Sequence, residues 1–396
     1  MRSRFLLGSR LVAGIALAAA TILPVTAEES RRPLSPGEEV ALRALVAAVD
    51  AAQLTGSWDP GNRGLAWDIH VLKARNLSGY VPFTVALNGA TEAFKSGALY
   101  VRAVRRRDGQ RGTTEHSVLR DWLINAKGSV PGANEFSALN AADMPIGGPA
   151  VRSARRSVSN TAQSSTILSL QEKAAAREMA DGQVYAFESY YFFETKGNRT
   201  EAPRLVQRAL SLPAGEYDVF VALVDRARRD GTPAILSRTV TVPNFQDGDL
   251  ELGSLMLVNG LRPLTSPLKE KEQIEHPYAF GENEIVPATP RSFTSTDDLS
   301  VVFQICNYGA PKSSLMVDYG FYQTVDGARR LFNRTATQEL TNADLPASPA
   351  SDTQTFVMQS MPLASFRPGR YELEVVVLDR VTQLMRKAAI DFVVRE

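Results

Sequence analysis

The residues able to do chemistry in this chain are few and scattered. There are three histidines, His70, His116 and His276. A zinc site needs several such ligands at fixed spacing, as in His-Glu-x-x-His, and no two of these stand at that spacing. His70 falls in an apolar strand pattern. His116 and His276 lie in polar stretches beside Glu115 and Glu275, so packing or surface roles are expected of all three. Cys306 is the only cysteine, which excludes an intrachain disulfide and a cysteine-only metal site. Its run, Leu299-Ser-Val-Val-Phe-Gln-Ile-Cys306, reads as a strand, where a thiol packs as a small apolar group. No Gly-x-Ser-x-Gly elbow, phosphate-binding glycine loop or dinucleotide fingerprint occurs.

Carboxylates leave one catalytic route open, since a glycosidase needs only two. The chain has 43 acids, too many for sequence to tell which pairs meet in space. Asp225 and Asp379 stand out because each ends an alternating apolar run and precedes an arginine. Accepting hydrogen bonds from nearby backbone or arginine explains that placement without catalysis. Asp247-Gly-Asp249-Leu-Glu251 offers oxygen ligands but lacks the spacing of a calcium helix-loop-helix, so it reads as a polar turn. Aromatic rows are the remaining candidates. Tyr190, Tyr191, Phe192 and Phe193 occupy both faces of one strand, and Tyr319, Phe321 and Tyr322 do so in another. An exposed row built on Tyr190, Phe192 or Tyr319 stacks on sugar rings; a covered row is core. No catalytic, cofactor-binding or metal-binding residue is singled out.

The elements that must position these groups are strands. Leu212-Pro-Ala-Gly-Glu-Tyr-Asp-Val-Phe-Val-Ala-Leu-Val-Asp-Arg226 repeats as Phe366-Arg-Pro-Gly-Arg-Tyr-Glu-Leu-Glu-Val-Val-Val-Leu-Asp-Arg380. Gly215, Tyr217, Val221, Asp225 and Arg226 recur 154 positions later. In both copies every second residue from the tyrosine is apolar, so one face packs inward. A glycine turn before a buried tyrosine whose hydroxyl bonds back to the chain is the tyrosine corner of immunoglobulin-like sandwiches. Short apolar runs with turn residues between them fill the rest of residues 64–396. They include Ala66 to Leu72, Val81 to Leu87, Leu250 to Val258 and Tyr278 to Val286. Upstream, Leu99 resembles Leu299 at a shift of 200, which requires an insertion in the first copy. Gly128 to Ser165, rich in Gly, Ala, Ser, Asn and Pro, has the composition of a mobile excursion. Gln171 to Asp181 reads as a short returning helix.

Before the strands comes one helix signal. Ser35-Pro36-Gly37-Glu38 supplies a capping serine, a first-turn proline and a glutamate three residues on. Leu42, Leu45, Val46 and Val49 follow at helical spacing, and Gly56 is a stop. The first residues read as a secretory leader: Arg2 and Arg4, an apolar run from Leu11 to Leu23, then Val25-Thr26-Ala27. That run is shorter than the roughly 20 residues that span a bilayer, so no stable membrane span is expected after cleavage. Three of the 44 basic residues lie in this leader, leaving 41 against 43 acids. So balanced a surface argues against nucleic acid or anionic membrane as main partner. Arg105-Arg106-Arg107 and Arg228-Arg229 follow strands and read as solvated hairpin ends.

Val81-Pro-Phe-Thr-Val-Ala-Leu87, Ala98-Leu-Tyr-Val-Arg102, Leu212-Pro-Ala-Gly-Glu-Tyr217 and Phe280-Gly-Glu-Asn-Glu-Ile-Val-Pro287 resemble segments of poorly characterised exported bacterial proteins. In that group similar sandwiches accompany von Willebrand factor A-related domains or the domain named for Gly-Trp-x-Thr-Asp. Neither that motif nor an Asp-x-Ser-x-Ser metal site is present here, so the resemblance implies export and tandem β-domains alone. The expected plan is all-β, with two tandem immunoglobulin-like antiparallel β-sandwiches. A leader (residues 1–27) and a helical segment (28–63) precede a first sandwich (64–260, insertion near 128–165) and a second (261–396). The expected function is an exported, non-enzymatic binding or scaffolding protein, periplasmic or secreted, without a cofactor. Its expected partner is another envelope or extracellular protein, with a glycan as an alternative. A cell-envelope hydrolase with dispersed carboxylates and a pair of carbohydrate-binding modules are the competing readings.

Overall fold

A computed structural model of the chain describes residues 34–55, 65–74, 78–87, 96–106, 185–194, 205–228, 231–268, 270–309, 314–341, 343–345 and 354–396. The leader, His116, the insertion and the helix expected at Gln171 to Asp181 lie outside the described residues.

Helix α1, Pro36–Thr55, begins where the cap signal put it. Ser35 N and Oγ each donate to Glu38 Oε2 at 2.9 Å, and Glu38 N donates back to Ser35 Oγ at 3.4 Å. The first sandwich follows. Strands β1 (Ala66–Ile69) and β2 (Leu72–Lys73) share one edge of β3 (Gly79–Ala86), whose other edge holds β6 (Leu205–Leu212). The facing sheet runs β5 (Phe187–Glu194), β4 (Ser96–Arg105), β7 (Gly215–Asp225), β8 (Ala234–Val242). The core between them takes alternate residues: Val81, Phe83 and Val85 from β3 meet Leu99, Val101, Val219 and Val221 from β4 and β7. On its outer face the second sheet presents Tyr100, Tyr190, Phe192 and Phe220, which α1 covers with Leu42, Leu45, Val46 and Val49. The helix therefore completes a third layer.

The second sandwich repeats the plan, and among the described residues no long helix covers it. One sheet orders β11 (Ala279–Phe280), β12 (Asn283–Pro287), β10 (Met256–Pro263), β14 (Asp298–Cys306), β18 (Gln354–Pro362), with β9 (Glu251–Leu252) also on β14. Its partner orders β13 (Ser292–Thr294), β20 (Met385–Arg395), β19 (Gly369–Asp379), β15 (Ser314–Val325), β16 (Ala328–Arg334), with β17 (Gln338–Thr341) also on β15. A short helix α2, Glu270–Gln273, precedes β11. The chain is thus an all-β sandwich fold with an N-terminal helix, and β7 and β19 hold equivalent central places in it.

The tyrosine corner is present twice. Tyr217 Oη donates to Pro213 O at 3.0 Å, and Tyr371 Oη donates to Arg367 O at 2.9 Å, each four residues upstream. Removing either hydroxyl, as Tyr217→Phe or Tyr371→Phe, is expected to cost about 1 kcal/mol in urea unfolding, the usual net worth of one hydrogen bond. An unchanged unfolding midpoint for both variants would show that the corners are ornamental.

Two expectations need correction. Leu99 and Leu299 are not equivalent: Leu99 lies on β4, which pairs β5 and β7, whereas Leu299 lies on β14, which pairs β10 and β18. By its pairing β4 matches β15, so the apparent shift of 200 is an accident of alternating apolar patterns. The inserted length falls between Arg105 and Phe187, where the second sandwich needs only the Asp326-Gly327 turn. Those two residues have φ of 53° and 76°, the left-handed pair that a two-residue hairpin uses. The expected strand from Tyr278 to Val286 is likewise a hairpin, β11–β12, turned at Gly281 with φ 64°.

Candidate functional site

The site starts from strand alternation in β1 and the residues after it. Trp67, Ile69 and Val71 face the first core. Asp68, His70 and Leu72 therefore face the other way, toward the second sandwich. Asp68 is buried, and its carboxylate collects three side chains, two from the loop between β12 and β13 and one from β8. Arg291 binds it with two nitrogens, Nε to Oδ2 at 3.1 Å and Nη2 to Oδ1. Thr289 Oγ1 donates to Oδ2 at 3.3 Å. Arg238, from β8, brings Nη1 to 3.7 Å of Oδ1, an ion pair beyond hydrogen-bonding distance. The Arg238 guanidinium lies over the ring of Trp67, 5.1 Å from its centroid, and its side chain keeps 42% of its exposure. Burial lowers its pKa; Asp68 works against that shift and Arg291 with it.

Beside this cluster His70 Nδ1 and Tyr278 Oη share a hydrogen bond of 2.9 Å, with the two rings edge to face. Burial pulls the His70 pKa from 6.5 to about 4, and keeps the Tyr278 hydroxyl protonated by raising it. Next along the chain, Val71 and Ser254 bond reciprocally: Val71 N donates to Ser254 Oγ and Ser254 N donates to Val71 O, both at 2.8 Å. Lys73 N donates to Gln304 Oε1 at 2.6 Å, Gln304 Nε2 to Lys73 O at 3.3 Å, and Lys73 Nζ to Asn307 Oδ1 at 2.6 Å. Tyr80 Oη reaches Pro277 O at 2.8 Å. Around these bonds Leu72, Tyr80 and Ala209 pack on Met256, Val258, Ile285 and Val302. The outer face of the β1–β3–β6 sheet is thus joined to the outer face of the β10–β14–β18 sheet by an apolar patch and a row of satisfied polar groups. The two sandwiches make one body here.

At the margin of that junction is a cavity of about 390 Å³ lined by both sandwiches. His70, Arg238 and Thr241 come from the first; Ser254, Arg291 and the Ala388–Ile390 stretch of β20 come from the second. With Asp68 behind the wall, two guanidiniums share one carboxylate, leaving a net positive, partly desolvated pocket. Its chemistry suits an anion held in a fixed geometry, because arginine presents a planar fork of donors.

The residues that stood out in sequence are placed elsewhere. His276 Nδ1 lies 3.0 Å from Glu284 Oε1, and Arg262 binds Oε2 of the same carboxylate. Cys306 is fully buried and its thiol is pushed up to about 12, consistent with a packing role. Asp225 accepts from Ala227 N at 3.0 Å, and Asp379 accepts from Gly309 N at 2.6 Å and Val381 N at 2.8 Å, so both carboxylates hold turns. Asp249 and Glu251 face Arg386 at 3.8 and 3.1 Å. Tyr190 and Phe192 are buried beneath α1 and Tyr319 lies in the second core, so the exposed aromatic row required for sugar stacking is absent at these positions. That overturns the carbohydrate-module reading built on them. A larger hollow of about 870 Å³ on the β19–β20 face contains Glu372 and Asp391, which are cross-strand neighbours. Arg329 donates to Glu372 at 2.7 Å and Asp391 is exposed, so neither has the apolar enclosure of a general acid. Sequence reasoning missed Asp68, Arg238 and Arg291. Its one usable signal was an aspartate and a histidine, Asp68 and His70, inside an otherwise apolar strand.

No family model matches this chain, and no curated protein does. Among solved structures it is similar to Escherichia coli alpha-2-macroglobulin activated by porcine elastase, at 11% identity over 85% of this chain and 22% of that one, TM-score 0.22. A Salmonella alpha-2-macroglobulin mutant matches at 11% identity over 84% and 16%, TM-score 0.20. The chain spans about a fifth of the length of these proteins. Neither residue roles nor activity carry across at that level of likeness.

Proposed function

We propose that this chain is an exported, non-enzymatic binding or scaffolding protein of the bacterial cell envelope. The observation that carries this reading is the composite cleft: its charged lining is assembled only when both sandwiches are joined. A body whose two sandwiches share buried hydrogen bonds across their junction holds such a lining in place, which is what a binding platform requires. Export rests on the leader-like first residues and on the resemblance to exported sandwich proteins. Among the described residues no helix is long and apolar enough to cross a membrane. The partner in this reading is another envelope or extracellular protein.

A photo-crosslinking amino acid at position 241, in the cleft wall, tests it in cells. A discrete crosslinked envelope protein is expected there and not from the same probe at Asp298, the exposed first residue of β14. Equal labelling from both positions, or none from either, would remove the binding reading.

A further inference from the structure

We propose that the cleft between the sandwiches takes an extended peptide segment bearing a carboxylate, with Arg238 holding the carboxylate and the open strand edges holding the backbone. This inference rests on the binding reading above and adds the ligand class.

The first support is charge. Arg291 and Thr289 already occupy Asp68 through hydrogen bonds of 3.1 and 3.3 Å, while Arg238 stands farther off, at 3.7 Å. Two cations facing one anion repel each other across the pocket, and an incoming carboxylate removes that repulsion. A forked guanidinium over an aromatic face is pre-oriented for a carboxylate. Because Arg238 covers the Trp67 ring, that face is closed to sugar stacking.

The second support is backbone geometry. Asp379 N donates to Leu384 O at 2.9 Å, so Asp379 and Leu384 form a bonded pair of the β19–β20 ladder. Bonded pairs alternate in an antiparallel ladder, so Arg386, Ala388 and Ile390 bond to β19 while Lys387, Ala389 and Asp391 turn their backbone groups to the opposite edge. Val393 has the same parity, and its N–H donates to Arg291 O at 3.0 Å on that edge. Strand β13 covers β20 only from Val393 to Arg395. The edge at Ala389 therefore pairs with no strand among the described residues. Across the cleft, Arg106 N donates to Glu216 O at 2.8 Å, so even-numbered residues of β7 bond to β4 and odd-numbered ones to β8. Val240 and Val242 are thereby engaged, and Thr239 and Thr241 turn to the outer edge of β8, which also pairs with no described strand. Unpaired N–H and C=O groups at strand spacing recognise an extended peptide by strand addition. A glycan has no such repeat.

The test is a selection of random displayed peptides on the full chain, followed by titration of an enriched peptide labelled for fluorescence anisotropy. Enriched sequences are expected to share an Asp, a Glu or a free C-terminal carboxylate. Arg238→Gln is expected to weaken binding by about tenfold or more, and Arg238→Lys to restore part of it, as a lost charge-assisted hydrogen bond implies. Asp68 keeps Arg291 and Thr289 in both variants, and an unchanged melting temperature checks that they fold. No enrichment, enrichment of acid-free peptides, or equal affinity for Arg238→Gln overturns the proposal. Polygalacturonate binding that depends on Arg238, without any enriched peptide, also overturns the peptide class while leaving the binding reading standing. Loss of the crosslink at position 241 instead overturns the reading itself.

Discussion

Arg102→Ala is expected to lower the stability of the chain by about 3–5 kcal/mol, the usual consequence of removing one partner from a buried ionic network. Arg102 is fully buried on the outer face of the β4–β7 sheet, under the C-terminal half of α1. Its Nη1 donates to Asp50 Oδ1 at 2.7 Å and Gln53 Oε1 at 3.0 Å, both on the helix. Its Nε donates to Tyr100 Oη at 2.9 Å, and that hydroxyl donates in turn to Glu188 Oε1. The guanidinium also lies over the Tyr185 ring, 4.2 Å from its centroid. Burial opposes the charge, but Tyr100, Tyr185, Glu188 and Asp50 together outweigh it and hold the group charged. Alanine removes the cation and leaves Glu188 buried without it. At the other end of the helix Arg226 binds Glu38 Oε1 at 3.1 Å and Glu194 Oε1 at 2.6 Å, so α1 is clamped at both ends. The variant should therefore show faster amide exchange over Gln53–Thr55 than over Glu38–Leu42, together with the loss in urea unfolding. A loss under about 1 kcal/mol would mean that the network is solvated and that the apolar stripe alone holds the helix.

This clamp shows what a linear reading could and could not see. Helix α1, its cap and its apolar stripe were legible because each signal is local: Ser35 and Glu38 are three residues apart, and Leu42 to Val49 follow one period. The repeat around Tyr217 and Tyr371 was legible because a tyrosine corner constrains a short run of residues. Asp225 and Asp379 also fell where their alternation placed them. The cleft was not legible. Asp68 and Arg291 are 223 positions apart, and nothing within either segment points to the other. Their meeting depends on how the outer faces of two sheets pack, and both faces read as the half-polar surface that any sandwich exposes. The mistaken match of Leu99 with Leu299 has the same origin, since alternation identifies a strand but not its place in the sheet.

Acid is expected to weaken the junction between the sandwiches through His70, by roughly 3 kcal/mol between neutral pH and pH 4. The histidine is buried against Tyr278, and burial lowers its pKa from 6.5 to about 4; Asp68 pulls it up, and Arg291 and Arg238 push it down. In the unfolded chain it protonates near 6.5. Between pH 6.5 and 4 the unfolded state therefore binds the extra proton and the folded state does not, so stability falls as pH falls through that window. Below about pH 4 both states are protonated and this loss levels off. His70→Asn offers the Tyr278 hydroxyl either an amide donor or an amide acceptor and does not titrate, so its stability should stay flat across the window where the parent declines. Urea unfolding of both proteins from pH 7.5 to 3.5 reads the difference, which cancels the carboxylates common to the two. Parallel profiles would show that His70 is reached by water and that its neutrality is not what joins the sheets. If the profiles diverge, the cleft is acid-labile: a proton on His70 adds a third positive charge beside Arg238 and Arg291, with Asp68 opposing them. That repulsion acts between residues of both sandwiches, His70 and Arg238 on the first and Arg291 on the second.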